Sequence, residues 1–417
     1  MLGQNDISRK QALVVKLLMF VLFPFISFLY SLRRPNSKSS QIIFFLFGML
    51  FAWTMDIHNS VYDFTRIVAE FYSKNLTTKE LLNEISLFFV GESNFKEFYT
   101  AFLNWFVRLF SNNYHAVFLV ASLPLLYFML KSLRLITSDR DNYKPSLYSF
   151  VIIVLFILPF ELFEVSNYRF ATAAWIAIYS ILRLFKEKKT RYYLLLLLVP
   201  FIHSGFWPLI LFLVVYTVIP KREKIFKTLF YLSIPFAFIE SNILSYIDFS
   251  FLPDTIAEWA NAYLSDDMVS KFGMYRSGSG FYLVELFIRK SIVLSFIVGI
   301  MISIKKDNQN HIHDEQKHIF LYFLVLFFAF TDFIQIIPTL GERYFRLAEV
   351  FFIYHWFSCF STKTYRKYVY LIIIPSLYII LYEKSQHYIN SLDFSFLVSD
   401  VFSIISENLG VTSYKAF

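Results

Sequence analysis

The sequence predicts an all-α, polytopic integral membrane protein of about twelve transmembrane helices, with two long outward-facing loops that contain short helices. Three observations predict it. The 417 residues are 57% hydrophobic and only 17% charged, with 53 Phe and a mean hydropathy of +0.53, too little polar surface to cover a soluble fold of this length. The apolar residues gather into runs that can cross a hydrocarbon core of about 30 Å at about 1.5 Å per helical residue. Lys and Arg collect in every second connection, the bias that sets orientation, whereas Asp and Glu do not follow it. The +8 net charge therefore requires no nucleic acid. One cysteine, Cys359, excludes an intramolecular disulfide and a cysteine-based metal site.

Residues 1–417 read as a single transmembrane domain. The first run, 11–32, is kept as a span rather than a cleaved signal peptide, because it is long and no small-residue cleavage pattern follows it. Arg33, Arg34 and Lys38 form a basic loop before a second span over 41–55. The remaining spans fall near 114–133, 146–163, 169–185, 192–204, 206–219, 228–247, 281–304, 318–338, 344–361 and 368–383. Assigning the basic connections to the cytoplasm, for example Lys186, Lys188, Lys189 and Arg191, gives an alternating map with both termini outside.

Two outward connections are longer than the rest. The first, 56–113, holds Thr77-Thr78-Lys79-Glu80, a capping box that opens a helix. Further on, Phe95, Phe98, Phe102, Trp105, Phe106 and Leu109 recur at three-and-four spacing with Lys96, Glu97 and Arg108 among them, which reads as an amphipathic helix lying in the membrane interface. The second, 248–280, ends in Gly273-Met274-Tyr275-Arg276-Ser277-Gly278-Ser279-Gly280. Three of the ten glycines fall there, so Arg276 reads either as carried on a mobile lid or as part of a flexible linker.

Polar residues inside or at the ends of apolar runs are the candidate chemistry. Asn167-Tyr168-Arg169 opens the run that reaches Phe185, placing a guanidinium at one end of a span. After the basic hairpin the chain turns apolar again and reaches His203-Ser204-Gly205. One crossing out and one back put Arg169 and His203 on the same side. His203 lies only about 17 Å along its helix. Gly205 and Pro208 follow, so the backbone breaks at membrane depth, where a break is tolerated if it lines an enclosed or wet cavity. Gly341-Glu342-Arg343-Tyr344-Phe345-Arg346 forms a compact outer loop and helix start, with Arg343 and Arg346 on one face. Several outward arginines point to an anionic ligand, a diphosphate at a membrane surface, because guanidinium forks match phosphate oxygens; salt bridges to Glu342, Glu161 and Glu164 are the competing reading. Glu285 and Arg289 stand four apart in the ninth span, Asp332 sits in the tenth, and Asp56, Glu92 and Glu342 are the candidate general bases.

The chain has no Gly-rich phosphate loop ending in Lys-Ser/Thr, no His-Glu-x-x-His and no Gly-x-Ser-x-Gly. His311-Ile312-His313 reads as a solvated inside loop. Nothing calls for a nucleotide, a bound metal or another cofactor.

In order and spacing the chain resembles the EpsG-like, Wzy-type polymerases of bacterial surface polysaccharide. The similar features are Asp56 followed by Tyr62, Glu92-Ser93-Asn94-Phe95, Asn112-Asn113, Arg169 with Ala173, His203-Ser204 and Glu342-Arg343-Tyr344-Phe345. It departs from the pattern in having Ala52-Trp53-Thr54-Met55 before Asp56 and no Pro-Gly after Glu92. The resemblance implies joining of undecaprenyl-diphosphate-linked oligosaccharide units at the outer face of the inner membrane, for O-antigen, capsule or exopolysaccharide. Arg169, Arg276, Arg343 and Arg346, with Tyr168 and Tyr344, would hold the donor, and His203 or a carboxylate would orient or deprotonate the acceptor. Membrane lipids, a flippase and a chain-length regulator are the implied partners. A flippase for lipid-linked sugar is the rival, but it would show charge in both membrane halves and internal symmetry, and no repeat is visible. An O-antigen ligase or a membrane acyltransferase would share these features.

Overall fold

The computed structural model describes residues 2–55, 63–74, 76–90, 97–138, 146–219, 223–238, 282–309, 315–335, 337–359, 375 and 397–409. The regular elements among the described residues are all helices, with no strand among them. Four segments are long and apolar enough to cross a membrane: Tyr114–Thr137, Leu147–Glu187, Phe287–Asn308 and Glu315–Ile334. Four shorter apolar helices, Gln11–Leu22, Lys38–Trp53, Arg191–Ile202 and Ser204–Val218, fall below span length. Many outward faces carry Leu, Val and Phe, as on Leu194, Leu198, Leu211 and Val218, the inverse of a soluble surface and the signature of a lipid-facing one.

The helices gather into two compact units. The first comprises residues 1–150, 160–207 and 381–417. Its opening pair corrects the single predicted span over 11–32. α1 (Leu2–Leu22) ends at Phe23, and Pro24 starts α2 (Pro24–Ser31). The Ser27 hydroxyl donates to the Lys16 carbonyl at 2.8 Å. Eleven residues of straight helix would separate them by about 16 Å, so the chain doubles back. Proline, lacking an amide hydrogen, is well placed to begin the second arm. Lys16 is buried and reaches Ser40 at 2.7 Å, tying α1 to the start of α3 (Lys38–Trp53).

Three short helices follow, α4 (Asp63–Ser73), α5 (Thr78–Val90) and α6 (Tyr99–Arg108). The predicted capping box is present: the Thr77 amide and hydroxyl donate to Glu80 Oε2 at 2.7 and 2.8 Å, and the Glu80 amide donates to Thr77 Oγ1 at 3.3 Å. On α6 the apolar stripe faces away from the protein: Phe102 and Phe106 are exposed, while Thr100, Ala101, Leu103, Asn104 and Val107 are buried.

The centre of this unit is α9 (Tyr168–Glu187), packed between α7 (Tyr114–Ser138) and α10 (Arg191–Ile202). Ala171, Ala173, Ala174 and Ala177 have no exposed surface, and small residues of this kind let neighbouring backbones approach. Trp175 fills the remaining volume and donates to the Phe160 carbonyl at 3.0 Å. The chain enters α9 from α8 (Leu147–Ile157) through two 3-10 turns, Leu158–Phe160 and Leu162–Asn167. α9 ends on Lys188 with φ 54°, the left-handed cap ordinarily taken by glycine.

The second unit comprises residues 151–159 and 208–380. Its helices are α11 (Trp207–Val218, from Pro208 on), α12 (Glu223–Ser233), α13 (Tyr282–Asn308), α14 (Glu315–Ile334) and α15 (Pro338–Cys359). α14 packs on α12, α13 and α15, and its core is largely aromatic, with Phe327 5.4 Å from Phe351 and 5.1 Å from Phe212. Asp332 is buried in α14 and accepts from Ser233 at 2.9 Å. A last helix of the first unit, α16 (Val401–Leu409), packs on α3.

Candidate functional site

The site is built where α10 fails. Pro200 lacks the amide that would continue the helical ladder, and α10 ends at Ile202, its twelfth residue. His203 is extended, with φ −147° and ψ 112°, followed by a 3-10 turn, Ser204–Phe206, and then α11. Twelve residues rise only about 18 Å. The predicted break at His203 and Gly205 is therefore present, short of the length of a full crossing.

Two polar side chains sit at this break, and a third joins them. Arg169 Nη1 pairs with Glu97 Oε1. The other Glu97 oxygen accepts from the Ser204 amide at 2.9 Å and lies 3.9 Å from His203 Nδ1. Glu97 thus cross-links the start of α9, the end of α10 and the N-terminus of the next helix, where free amides favour a carboxylate. All three side chains are largely buried.

His203 Nδ1 accepts from the Gly205 amide at 3.0 Å. That contact fixes the neutral tautomer with its hydrogen on Nε2, so the ring presents a donor there. Phe170 packs edge-on against the imidazole at 5.5 Å and holds its plane. Gly205 allows the tight return: a Cβ there would stand 3.0 Å from His203 Cε1.

The sequence-predicted residues are distributed as follows. Arg169 and His203 come together through Glu97, as the out-and-back topology requires. Tyr168 is wholly buried behind them, its hydroxyl 3.4 Å from Thr100 Oγ1. Glu342, Arg343, Tyr344 and Arg346 lie in the first turns of α15 in the second unit. There Glu342 faces Arg289 at 3.4 Å, Arg346 Nε donates to the Pro159 carbonyl at 2.6 Å, and the Tyr344 hydroxyl accepts from the Leu209 amide at 2.9 Å. Asp56, Glu92, Arg276 and the His311–His313 pair lie outside the described residues.

Glu97 is the residue that sequence reasoning missed. It was read as one charge on the polar face of an amphipathic helix, and the only signal available was a carboxylate two residues before a helix start.

One described group has metal-ligand composition: Glu223, Asp307 and His318, whose ligand atoms lie within 4.8 Å of one another. The ring geometry speaks for a bridge rather than a cage. His318 Nδ1 faces Asp307 at 2.8 Å while Nε2 faces Glu223 at 3.1 Å, so the carboxylates occupy opposite edges of one imidazole. Tyr322 adds a hydroxyl on Asp307 at 2.8 Å, and Lys227 stands 3.6 Å from Glu223, already supplying positive charge.

No curated protein and no solved structure matches the chain. A family model does: residues 39–396, most of the sequence, match that of the EpsG family. With its membrane-length apolar helices, this chain belongs to the EpsG family of Wzy-like polysaccharide polymerases.

Proposed function

We propose that this polymerase joins undecaprenyl-diphosphate-linked oligosaccharide units at the outer face of the inner membrane, and that the Arg169–Glu97–His203 cluster is its reaction centre. The observation that carries the reading is the double role of Glu97, which holds the arginine with one oxygen and the helix break with the other.

Arg169 binds the diphosphate of the growing chain, the donor, and stabilises the charge that develops as it leaves. The arginine transfers from Glu97 to phosphate oxygens, which frees Glu97 Oε1 to take a proton. The acceptor hydroxyl, at the non-reducing end of the next unit, bonds to the anomeric carbon. The bond from that carbon to the diphosphate oxygen breaks, undecaprenyl diphosphate departs with the electron pair, and the hydroxyl proton passes to Glu97. His203 donates from Nε2 to a substrate oxygen and orients it. From the sequence alone, Arg276, Arg343 and Arg346 remain candidates for further anion contacts to the lipid-linked substrate.

The test is the surface glycan of a deletion strain carrying wild type, Arg169→Ala or Glu97→Gln. Single repeat units without a ladder, restored by wild type alone, are the expected result. A complete absence of surface glycan in the deletion strain, with lipid-linked units stranded on the cytoplasmic side, would instead make the protein a flippase.

A further inference from the structure

Four aromatic rings form a connected run through Phe98 and Phe201, the chain neighbours of Glu97 and His203, and take no part in the chemistry just proposed. Phe98 follows Glu97 in the chain, and Phe201 precedes His203 by two residues; their ring centroids are 5.9 Å apart. Phe88 stands 5.5 Å from Phe98 and 6.0 Å from Phe201, and Trp207 stands 5.8 Å from Phe201. The interplanar angles run from 33° to 85°, so the rings brace one another at tilted and edge-on contacts instead of closing into a flat stack.

Trp207 is the open end of this run. It is 47% exposed, whereas Trp53, Trp175 and Trp356 are buried. Half-buried Trp105 donates its indole hydrogen to Thr78 Oγ1 at 3.2 Å. The Trp207 indole, by contrast, makes no hydrogen bond to any described residue, although it heads the helix that follows the catalytic break. An exposed indole face with an available N–H, three residues from Ser204 and backed by Phe201, has the chemistry that recognises a pyranose. The C–H face of the sugar lies on the ring, and its hydroxyls reach the N–H and the neighbouring polar groups.

We propose that Trp207 and Phe201 form a pyranose-binding subsite that seats the incoming oligosaccharide against Glu97 and His203, an inference that rests on the polymerase reading above. The partial exposure of the ring is what a sugar platform needs. Its ring contact with Phe201, 5.8 Å away and two residues before His203, is the observation that sets it apart from an aromatic residue serving only to anchor a helix at the membrane interface.

The experiment titrates lipid-free oligosaccharide, released by mild acid from the lipid-linked pool of the deletion strain, into the purified full-length protein in nanodiscs. Saturation-transfer NMR and calorimetry read the binding, with a thermal melt run on each variant. Wild type binds, Trp207→Phe binds within about threefold of it, and Trp207→Leu and Phe201→Leu bind about tenfold or more weakly with unchanged melts. Wild-type affinity in Trp207→Leu, the outcome expected of a membrane-interface anchor, overturns the subsite, as does a wild-type protein that binds no oligosaccharide. Neither result touches the polymerase reading, which fails separately if the deletion strain still makes a full ladder.

Discussion

Glu97 is held by contacts 72 and 107 residues away in sequence, and that separation explains both its importance and its invisibility. Arg169 and His203 were legible because each is a local anomaly, an arginine opening an apolar run and a histidine ending one. A glutamate among phenylalanines at helical spacing is no anomaly. Its role exists only once α6, α9 and α10 are packed. Glu97→Gln removes the negative charge while keeping the shape, and the polymerisation rate should fall about 100-fold or more. Melting of Glu97→Ala, Arg169→Ala and the double variant should show coupling of about 1–3 kcal/mol; strictly additive losses would mean that the pair is not formed. Gly205→Ala places a methyl against the His203 ring, so activity should drop at least about tenfold while stability changes by no more than about 2 kcal/mol.

Among the elements, the capping box of α5 was legible from four residues because every contact in it is local. Hydrogen bonds from the Thr77 backbone amide, and then from its hydroxyl, hold the Glu80 carboxyl below the ordinary carboxylate range. A depressed carboxylate stabilises above its unfolded value, and that contribution is lost as pH falls through the lower, folded value. Amide exchange should therefore show the first turn of α5 protected at neutral pH and fraying in acid, a dependence that Glu80→Gln abolishes. The reversal between α1 and α2 was not legible, since Pro24 inside an apolar run reads equally as a kink within one span. The start of α15 hides a similar constraint. A Cβ on Gly341 would strike the Gln335 backbone, which cannot give way as a flexible side chain can. Gly341→Ala should cost about 1–3 kcal/mol by thermal melt and disturb the turn carrying Glu342 and Arg343.

Across the whole molecule, composition and hydropathy were enough to read helical membrane architecture, because burying or wetting this many apolar side chains leaves few other solutions. The count of about twelve spans is not confirmed by helix length among the described residues. Four described segments have full membrane length, and the paired short helices around His203 give one reason: an apolar run broken in its middle still scores as apolar. Orientation is open to direct measurement in a Cys359→Ser background. An impermeant maleimide should label Asn112→Cys in intact cells and Lys189→Cys only after permeabilisation; the opposite pattern would turn the reaction centre toward the cytoplasm. The break between α10 and α11 also bears on fidelity. A glycosyl diphosphate that meets water is hydrolysed, and each such event ends a chain that took many turnovers to build. On the proposed mechanism, the burial of Glu97 and His203 beside the broken helix would let an incoming sugar displace solvent from the bond to be broken. The length of the polymer would then depend on how completely that solvent is displaced at the moment of transfer.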